Sequence, residues 1–389
     1  MQIKNLQKAA LRIRRAIKKK ERIILFGDSD LDGVSAVIIL SEAIRSLGGT
    51  ISLFYFPNRE DQGYGLSVSA LKELKSFAPA LLILQDLGIS NFKEAELAKK
   101  AKFDVIIADH HEALGGKVPN AGIVVDPKQP GDKYPFKELA ACGVALKLAE
   151  VLLKKNISSS VRKNLVELAA LGTIADMMPR KEDNELIIAE GLSSLEDSWR
   201  PGIKAFYESG ILEEREERDK KIGYMISILN VRDVKDGLPG AFRLLTAQYP
   251  EEAKKLVLEL EEKQRVRQER IQHIVRKVRD RLLIKGANSA IIEGDESFDF
   301  EFLGAVASII SREYKLPVFL YKDKGEEILG SVRAPEGFDT VKAMEKFAKL
   351  LMTFGGHAQA SGFRLKAKNL AKFKQGLAEY FAIPITKKP

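Results

Sequence analysis

Three aspartates crowd the segment Asp28-Ser29-Asp30-Leu31-Asp32-Gly33, directly after the apolar run Arg22-Ile23-Ile24-Leu25-Phe26-Gly27. Carboxylates packed this closely at the end of a buried strand repel one another, and such a cluster persists where a cation offsets the repulsion. Two further runs end in the same way: Ala80 to Gln85 leads into Asp86-Leu87-Gly88, and Phe103 to Ala108 leads into Asp109-His110-His111. D-x-D-x-D-G also opens a calcium-binding hand. The twelfth position of that loop should be a bidentate Glu and here is Ile39, and a strand rather than a helix precedes the motif. Carboxylates with one or two imidazoles and no thiolate suit Mg²⁺ or Mn²⁺, the imidazole tilting toward Mn²⁺. Two such ions about 3.5–4 Å apart activate a water and clamp both oxygens of a phosphoryl transfer. Asp86 is placed to bridge them. The plainer reading of Asp86 alone is a helix cap or turn residue, and that of Asp109-His110-His111 is a polar loop.

The elements that must position these groups follow from the pattern. Each of the three runs has strand length, is mostly apolar and is followed by polar residues and then a helical pattern, as buried strands of a parallel sheet read. Ligands of such sheets lie beyond the carboxyl ends of the strands, so topology alone brings the acids and imidazoles together. An irregular Gly- and Pro-rich stretch follows Asp109-His110-His111. Helical patterns are predicted over Glu138 to Lys154, Val161 to Ala175 and Asn184 to Leu195, the second running into Asp176.

The chain has 389 residues, too many for one ordinary core, so two domains are expected. Its 63 Lys and Arg against 54 Asp and Glu leave a formal charge of +9, which suits an anionic partner. Cys142 is the one cysteine and reads as a small buried helix residue, so disulfides and cysteine zinc sites within the chain are excluded and a reducing, cytoplasmic setting is expected. No apolar run reaches the length needed to span a bilayer. Leu6, Ala9, Ile13, Ala16 and Ile17 fall at helical spacing among cations and predict a first helix that belongs to the fold.

Glu251 to Leu283 is charged, free of Gly and Pro, and apolar at helical spacing. One connecting helix of about 45–50 Å is predicted there. Its many cations either solvate a connector or track a phosphate backbone. Beyond Gly286 a second α/β unit is predicted, with strands at Ser289 to Ile292, Pro317 to Tyr321 and Ile328 to Arg333 and helices at Phe302 to Arg312 and Asp339 to Phe347. It carries Gly330-Ser331-Val332-Arg333 and Gly355-Gly356-His357. Glycine pairs let a backbone approach a ligand closely, and the Arg or His can grip a phosphate. A Gly-Gly before His is also what a tight turn looks like.

Taken in this order, the motifs resemble the DHH phosphoesterase superfamily, and within it the RecJ single-strand-specific exonucleases. The resemblance covers almost the whole chain: Ile13 to Gly33, Pro57 to Leu66 with its G-Y-G-L ending, Asp109-His110-His111, Gly172-Thr173-Ile174-Ala175-Asp176-Met177-Met178-Pro179, and the two C-terminal signatures. It implies an α/β fold of two domains facing each other across a groove. Residues 1–245 would form a DHH catalytic domain with a mainly parallel sheet, 246–285 the connecting helix, and 286–389 a smaller DHH-associated substrate-binding domain. It implies two Mn²⁺ or Mg²⁺ ions held by Asp30, Asp32, Asp86, His110 and Asp176, with Asp28 and Asp109 supporting the catalytic shell. His111 would contact the scissile phosphate. Ser331, Arg333, Gly355, Gly356 and His357 would hold the substrate. Leu229-Asn230-Val231-Arg232-Asp233 matches the family's N-A-x-x-R only in part, so Asn230 and Arg232 are left unassigned. The chain stops at Pro389, soon after the second domain, so no OB-fold is expected and short substrates gain credit.

The implied activity is metal-dependent hydrolysis of single-stranded DNA, 5′ to 3′, in repair or recombination. A DNA-repair helicase or a single-strand-binding protein would be a natural partner, and no membrane is involved. A nuclease of short RNA or a nucleotide-bisphosphate phosphatase shares the metal motifs and is the alternative. A non-catalytic replication scaffold is disfavoured by the full set of acids, and an inorganic pyrophosphatase by the +9 charge and the long basic helix.

Overall fold

The computed structural model describes residues 2–58, 62–154, 157–286 and 289–382. Arg59, Glu60 and Asp61 of the segment ending in Gly63-Tyr64-Gly65-Leu66 therefore lie outside the described residues. The chain divides into two compact units, Met1–Gln264 and Arg265–Pro389.

In the first unit the apolar runs form a parallel sheet. Its strands are β1 (Ile23–Gly27), β2 (Leu53–Tyr55), β3 (Ala80–Gln85), β4 (Phe103–Ala108) and β5 (Ile123–Val125), in the order β2-β1-β3-β4-β5. β1 and β3 are buried at every residue, which is why they carry unbroken runs of Ile, Leu and Phe instead of alternation. The helix Leu6–Lys19 (α1) lies where its apolar spacing predicts. Helix α2 (Leu31–Ser46) starts in the acidic turn, and thirteen of its sixteen residues are buried. It packs on α5 (Ala141–Leu153) and α6 (Ser159–Ala175).

Three local differences from the sequence reading have physical causes. Glu138 to Ala140 stay extended, and α5 begins only at Ala141, where a side chain from elsewhere caps it. α6 starts two residues early, because the Ser158 hydroxyl accepts from the Val161 N–H. β5 lies inside the stretch read as irregular. Three residues are too few to show a period, and pairing with β4 makes the strand.

One helix, α11 (Pro250–Lys285), has 36 residues, roughly 54 Å at 1.5 Å per residue. Its buried positions form two separate stripes. Ala253, Leu256, Val257 and Leu260 enter the core of the first unit, and Ile271, Ile274, Val275, Val278 and Leu282 enter a core of the second.

The second unit is a mixed five-stranded sheet, β11-β12-β10-β9-β8, in which only β8 and β9 run parallel. Its strands are β8 (Ile291–Asp295), β9 (Val318–Asp323), β10 (Glu327–Arg333), β11 (Leu351–His357) and β12 (Ala360–Lys366). Val318 and Leu320 pack with Leu303, Val306 and Ile310 of α12 (Phe300–Tyr314). Phe319, Val332 and Phe363 point the other way and pack with Met344, Phe373 and Leu377. Gly355, Gly356 and His357 end a strand, and the turn is Ala358-Gln359. No described helix is long and apolar enough to cross a membrane.

Candidate metal centre

The register of the parallel sheet sets the site. Gly27 pairs with Gln85, Gln85 with Ala108, and Ala108 with Val125. The next residue on each strand is therefore Asp28, Asp86, Asp109 and Asp126. The ladder continues one step into this row: Asp28 N–H donates to Gln85 O (3.3 Å), Asp86 N–H to Ala108 O (3.0 Å) and Asp109 N–H to Val125 O (3.1 Å). Four aspartates thus stand side by side along the carboxyl edge. The strand order reverses between β1 and β3, the switch point at which sheets of this order bind ligands.

The acidic turn is built tightly. Asp30 caps α2, accepting from the Gly33 N–H at 3.2 Å, and Asp28 accepts from the Ser29 N–H at 2.6 Å. A Cβ on Gly33 would sit 2.6 Å from the Asp28 carbonyl oxygen, so only glycine lets the helix start fold over Asp28. Asp32 reaches back to the amino end of α5. One oxygen accepts from Ala141 N–H and the other from Cys142 N–H, both at 2.8 Å. Each oxygen keeps a further lone pair for a cation.

His110 stands at the centre. Its Nε2 lies 3.2 Å from Asp86, 3.6 Å from Asp176 and 3.8 Å from Asp32. Three overlapping groups have donor atoms within 4.8 Å of one another: Asp28, Asp30 and Asp86; Asp86, His110 and His111; Asp32, His110 and Asp176. Asp86 belongs to two of them. Four of the buried atoms left without hydrogen bonds among the described residues lie in this place: both ring nitrogens of His110, one oxygen of Asp86 and one of Asp176. Buried polar atoms are ordinarily paired, so a cluster of orphans with carboxylate and imidazole chemistry fits divalent cations. Asp86 adopts the left-handed conformation (φ 63°), a strained backbone of the kind that concentrates at functional sites.

The electrostatics agree. Burial, reinforced by Asp32, Asp30, Asp28 and Asp109, raises the Asp86 carboxyl well above its ordinary range. Burial and then Asp32 and Asp30 push Asp176 up to about 7. Burial lowers the pKa of His110 against the pull of Asp32, keeping its imidazole neutral as a ligand requires. Burial acts to raise Asp109, but the hydrogen bond and charge of His111 outweigh it and hold that carboxyl low. Asp109 accepts from the N–H groups of Ile89, His110 and His111 and from His111 Nδ1 at 2.8 Å. In return, burial acts to lower His111, but the hydrogen bond and charge of Asp109 outweigh it and raise its pKa, and the ring is half exposed.

Several neighbours were not singled out from sequence. Burial pushes Asp126 up to about 8, with Asp109 adding to the rise. Its signal was present, since Ile123-Val124-Val125-Asp126 repeats the pattern of an apolar run ending in Asp. Tyr64 donates its hydroxyl to the Asp86 carbonyl (2.9 Å) and meets the His111 ring edge-on. Asn230, left unassigned above, accepts from the Leu31 N–H (3.1 Å) inside the acidic turn. Asn230, Arg232, Ser29, Asp30 and Asn58 line a cavity of about 300 Å³ beside it.

The remaining sequence-derived residues lie in the second unit. Ser331, Gly362 and Gly355 share one row of its sheet, and Arg333, Ala360 and His357 the next but one. These rows face the same side. Arg333 is half buried without an acidic partner among the described residues, and its Nη1 donates to the Val332 carbonyl at 2.8 Å. Burial lowers its pKa. Gly304 of α12 makes room for it: a Cβ there would lie 3.0 Å from Arg333 Nη2 and 3.3 Å from Ser331 Oγ. Gly355 and His357 are exposed.

Comparison with known proteins adds the family. The model of the DHH family, N-terminal domain, matches residues 22–173, and that of the DHHA1 domain matches residues 285–382. The single-stranded-DNA-specific exonuclease RecJ of Bacillus subtilis is 33% identical over 97% of this chain and 48% of its own length. That of Thermus thermophilus is 30% identical over 98% and 55%, and that of Escherichia coli 28% over 97% and 69%. The chain thus spans about half to two thirds of these relatives. A crystal structure of exonuclease RecJ bound to manganese superposes with a TM-score of 0.82 at 28% identity, covering 100% of this chain and 98% of that one. RecJ from Thermus thermophilus in complex with Mn²⁺ gives 0.79 at 27%, covering 98% and 55%. The chain therefore carries a DHH-family N-terminal domain followed by a DHHA1 domain, and along nearly its whole length it is similar to the RecJ exonucleases.

Proposed function

We propose that the protein is a two-metal phosphodiesterase that removes nucleotides from single-stranded DNA, 5′ to 3′, using Mn²⁺ or Mg²⁺. The observation that carries this reading is the convergence of orphaned buried atoms of Asp86, His110 and Asp176 at the strand-end row of aspartates. The RecJ relatives, named for single-stranded DNA and seen with manganese, support the substrate and the ion.

Asp30, Asp32, Asp86, His110 and Asp176 would hold the ions, with Asp86 shared between them. Bound there, the ions supply an activated water and offset charge on the phosphoryl oxygens. The chain's own groups do the rest. Asp109 is a positioning residue, since three of its four hydrogen bonds hold His110 and His111 and the fourth ties it to the Ile89 N–H. His111, held by Asp109 through Nδ1 and half exposed, is placed to donate a hydrogen bond to the scissile phosphate. Asp28 and Asp126 close the row at its two ends. In the second unit Ser331, Arg333 and His357, over the glycine floor of Gly355, Gly356 and Gly362, would hold a phosphate away from the cleaved bond. Arg333 has donors to spare for it. A repair helicase or a single-strand-binding protein is the partner class this activity implies, in the cytoplasm beside the chromosome.

The test is a substrate panel: labelled single-stranded DNA, blunt duplex, a short RNA and pyrophosphate, each with Mn²⁺ and with EDTA. Single-stranded DNA should be degraded, in Mn²⁺ only, with the 5′ label released first. Preference for the short RNA would move the function to the alternative nuclease reading. Release of the 3′ label first would reverse the polarity.

A further inference from the structure

A second cavity, of about 620 Å³, lies at the other end of α2 and α6 from the aspartate row. It touches α2 from Ile38 to Ser46, roughly 10–22 Å along the helix from Leu31, and α6 at Val161 and Asn164, roughly 18–22 Å along the helix from Asp176. Its size suits a small organic ligand.

Trp199, the one tryptophan of the chain, stands on its rim with 57% of its surface exposed. An exposed Trp beside a concave surface is a common mark of a binding site. The ring is also held in place. The Arg200 guanidinium carbon lies 5.5 Å from the ring centre. Arg200 is only 3% exposed and is pinned by both oxygens of Glu42 (2.9 and 3.2 Å) and by the Leu245 carbonyl (2.9 Å). Its Nε is buried with no partner among the described residues.

Charge at the rim is left over as well. Glu42 is taken by Arg200, so Arg45, three residues on, has no acidic partner among the described residues. It lies exposed over the Phe54 ring at 5.5 Å. Asn164 and Gln248 supply amide donors and acceptors to the same space. A rigid aromatic face, an uncompensated guanidinium and two amides together match a planar heterocycle that carries an anionic group.

We propose that this cavity binds a nucleoside monophosphate, its base stacked on Trp199 and read by Asn164 and Gln248, its phosphate paired with Arg45. The ligand belongs to the product class of the reaction proposed above, yet the binding itself does not depend on that reaction.

Trp199 fluorescence reports on this cavity alone, because no other tryptophan exists. Titration of the full chain with dAMP in EDTA should give saturable quenching. The half-saturation concentration should be unchanged in Asp86→Asn and raised at least about tenfold in Arg45→Ala, the lower bound for losing a charge-assisted hydrogen bond. Arg45 is exposed, so that variant keeps the fold. Deoxyribose 5-phosphate, which has no base, should leave the emission unchanged. A flat dAMP titration, quenching that survives Arg45→Ala or is lost in Asp86→Asn, or an equal response to the sugar phosphate would overturn the proposal. Emission that shifts with protein concentration and not with dAMP would assign the surface to a second copy of the chain and overturn it too.

Discussion

At the scale of single residues, acids in one cluster carry different loads. Asp86 is buried, left-handed and surrounded by like charge, so without metal it works against the fold. Asp86→Asn, which tolerates the same backbone, should cut single-strand cleavage at least about 100-fold, the scale of losing one charge-stabilising group. In EDTA its melting temperature should hold or rise, and a clear fall by calorimetry would contradict the assignment. Asp32 differs, because both its oxygens cap α5. Asp32→Ala should lose activity and also about 1–3 kcal/mol of metal-free stability in urea unfolding, the worth of a lost cap. Equal stability of the two variants would show that the cap contributes nothing. Residue types were legible here because carboxylates and imidazoles that end buried apolar runs are costly to hold together unless a cation meets them. The capping role of Asp32 was not, because its partners lie more than a hundred residues away. Asn230 was named but left unassigned because its motif matched only in part, and the contact that places it at the acidic turn spans 199 residues of chain.

At the scale of elements, β3 and β4 came out of the sequence with both ends in place, since buried parallel strands are written as continuous apolar runs. β5 did not, and Asp126 went unnoticed with it, because a three-residue strand owes its existence to β4 and not to its own pattern. The long helix shows the reverse case. Its length was legible, while two roles for its cations stayed open. Arg279 now forms a forked pair with Glu313, Arg281 pairs with Asp295, and Lys263 with Asp233. These cations are largely occupied by the protein's own acids. Arg279→Ala should therefore leave the salt dependence of single-strand binding unchanged. Arg333→Ala should reduce the log–log slope by about 0.7, one phosphate's share for single strands, and weaken binding by about 1.5–3 kcal/mol. Fluorescence anisotropy at several salt concentrations measures both, and a shallower slope for Arg279→Ala would return the helix to the nucleic-acid interface. Gly304→Ala should mimic part of the Arg333 defect by crowding its guanidinium.

At the scale of the whole molecule, one topological fact organises the chemistry. The order β2-β1-β3-β4-β5 places the β1 and β3 ends at the switch point, and the register lines up four aspartates there. Helices α2 and α6 then bring Asp30, Asp32 and Asp176 to the same edge. The central claim is that this assembly is a divalent-metal centre with His110 at its heart. Mn²⁺ titration followed by the EPR signal of the free aqueous ion tests it most directly. The wild-type chain should take up two ions, and His110→Ala, still folded by circular dichroism, should lose at least one together with single-strand cleavage. Undiminished Mn²⁺ uptake by His110→Ala, or cleavage that persists in it, would contradict the account.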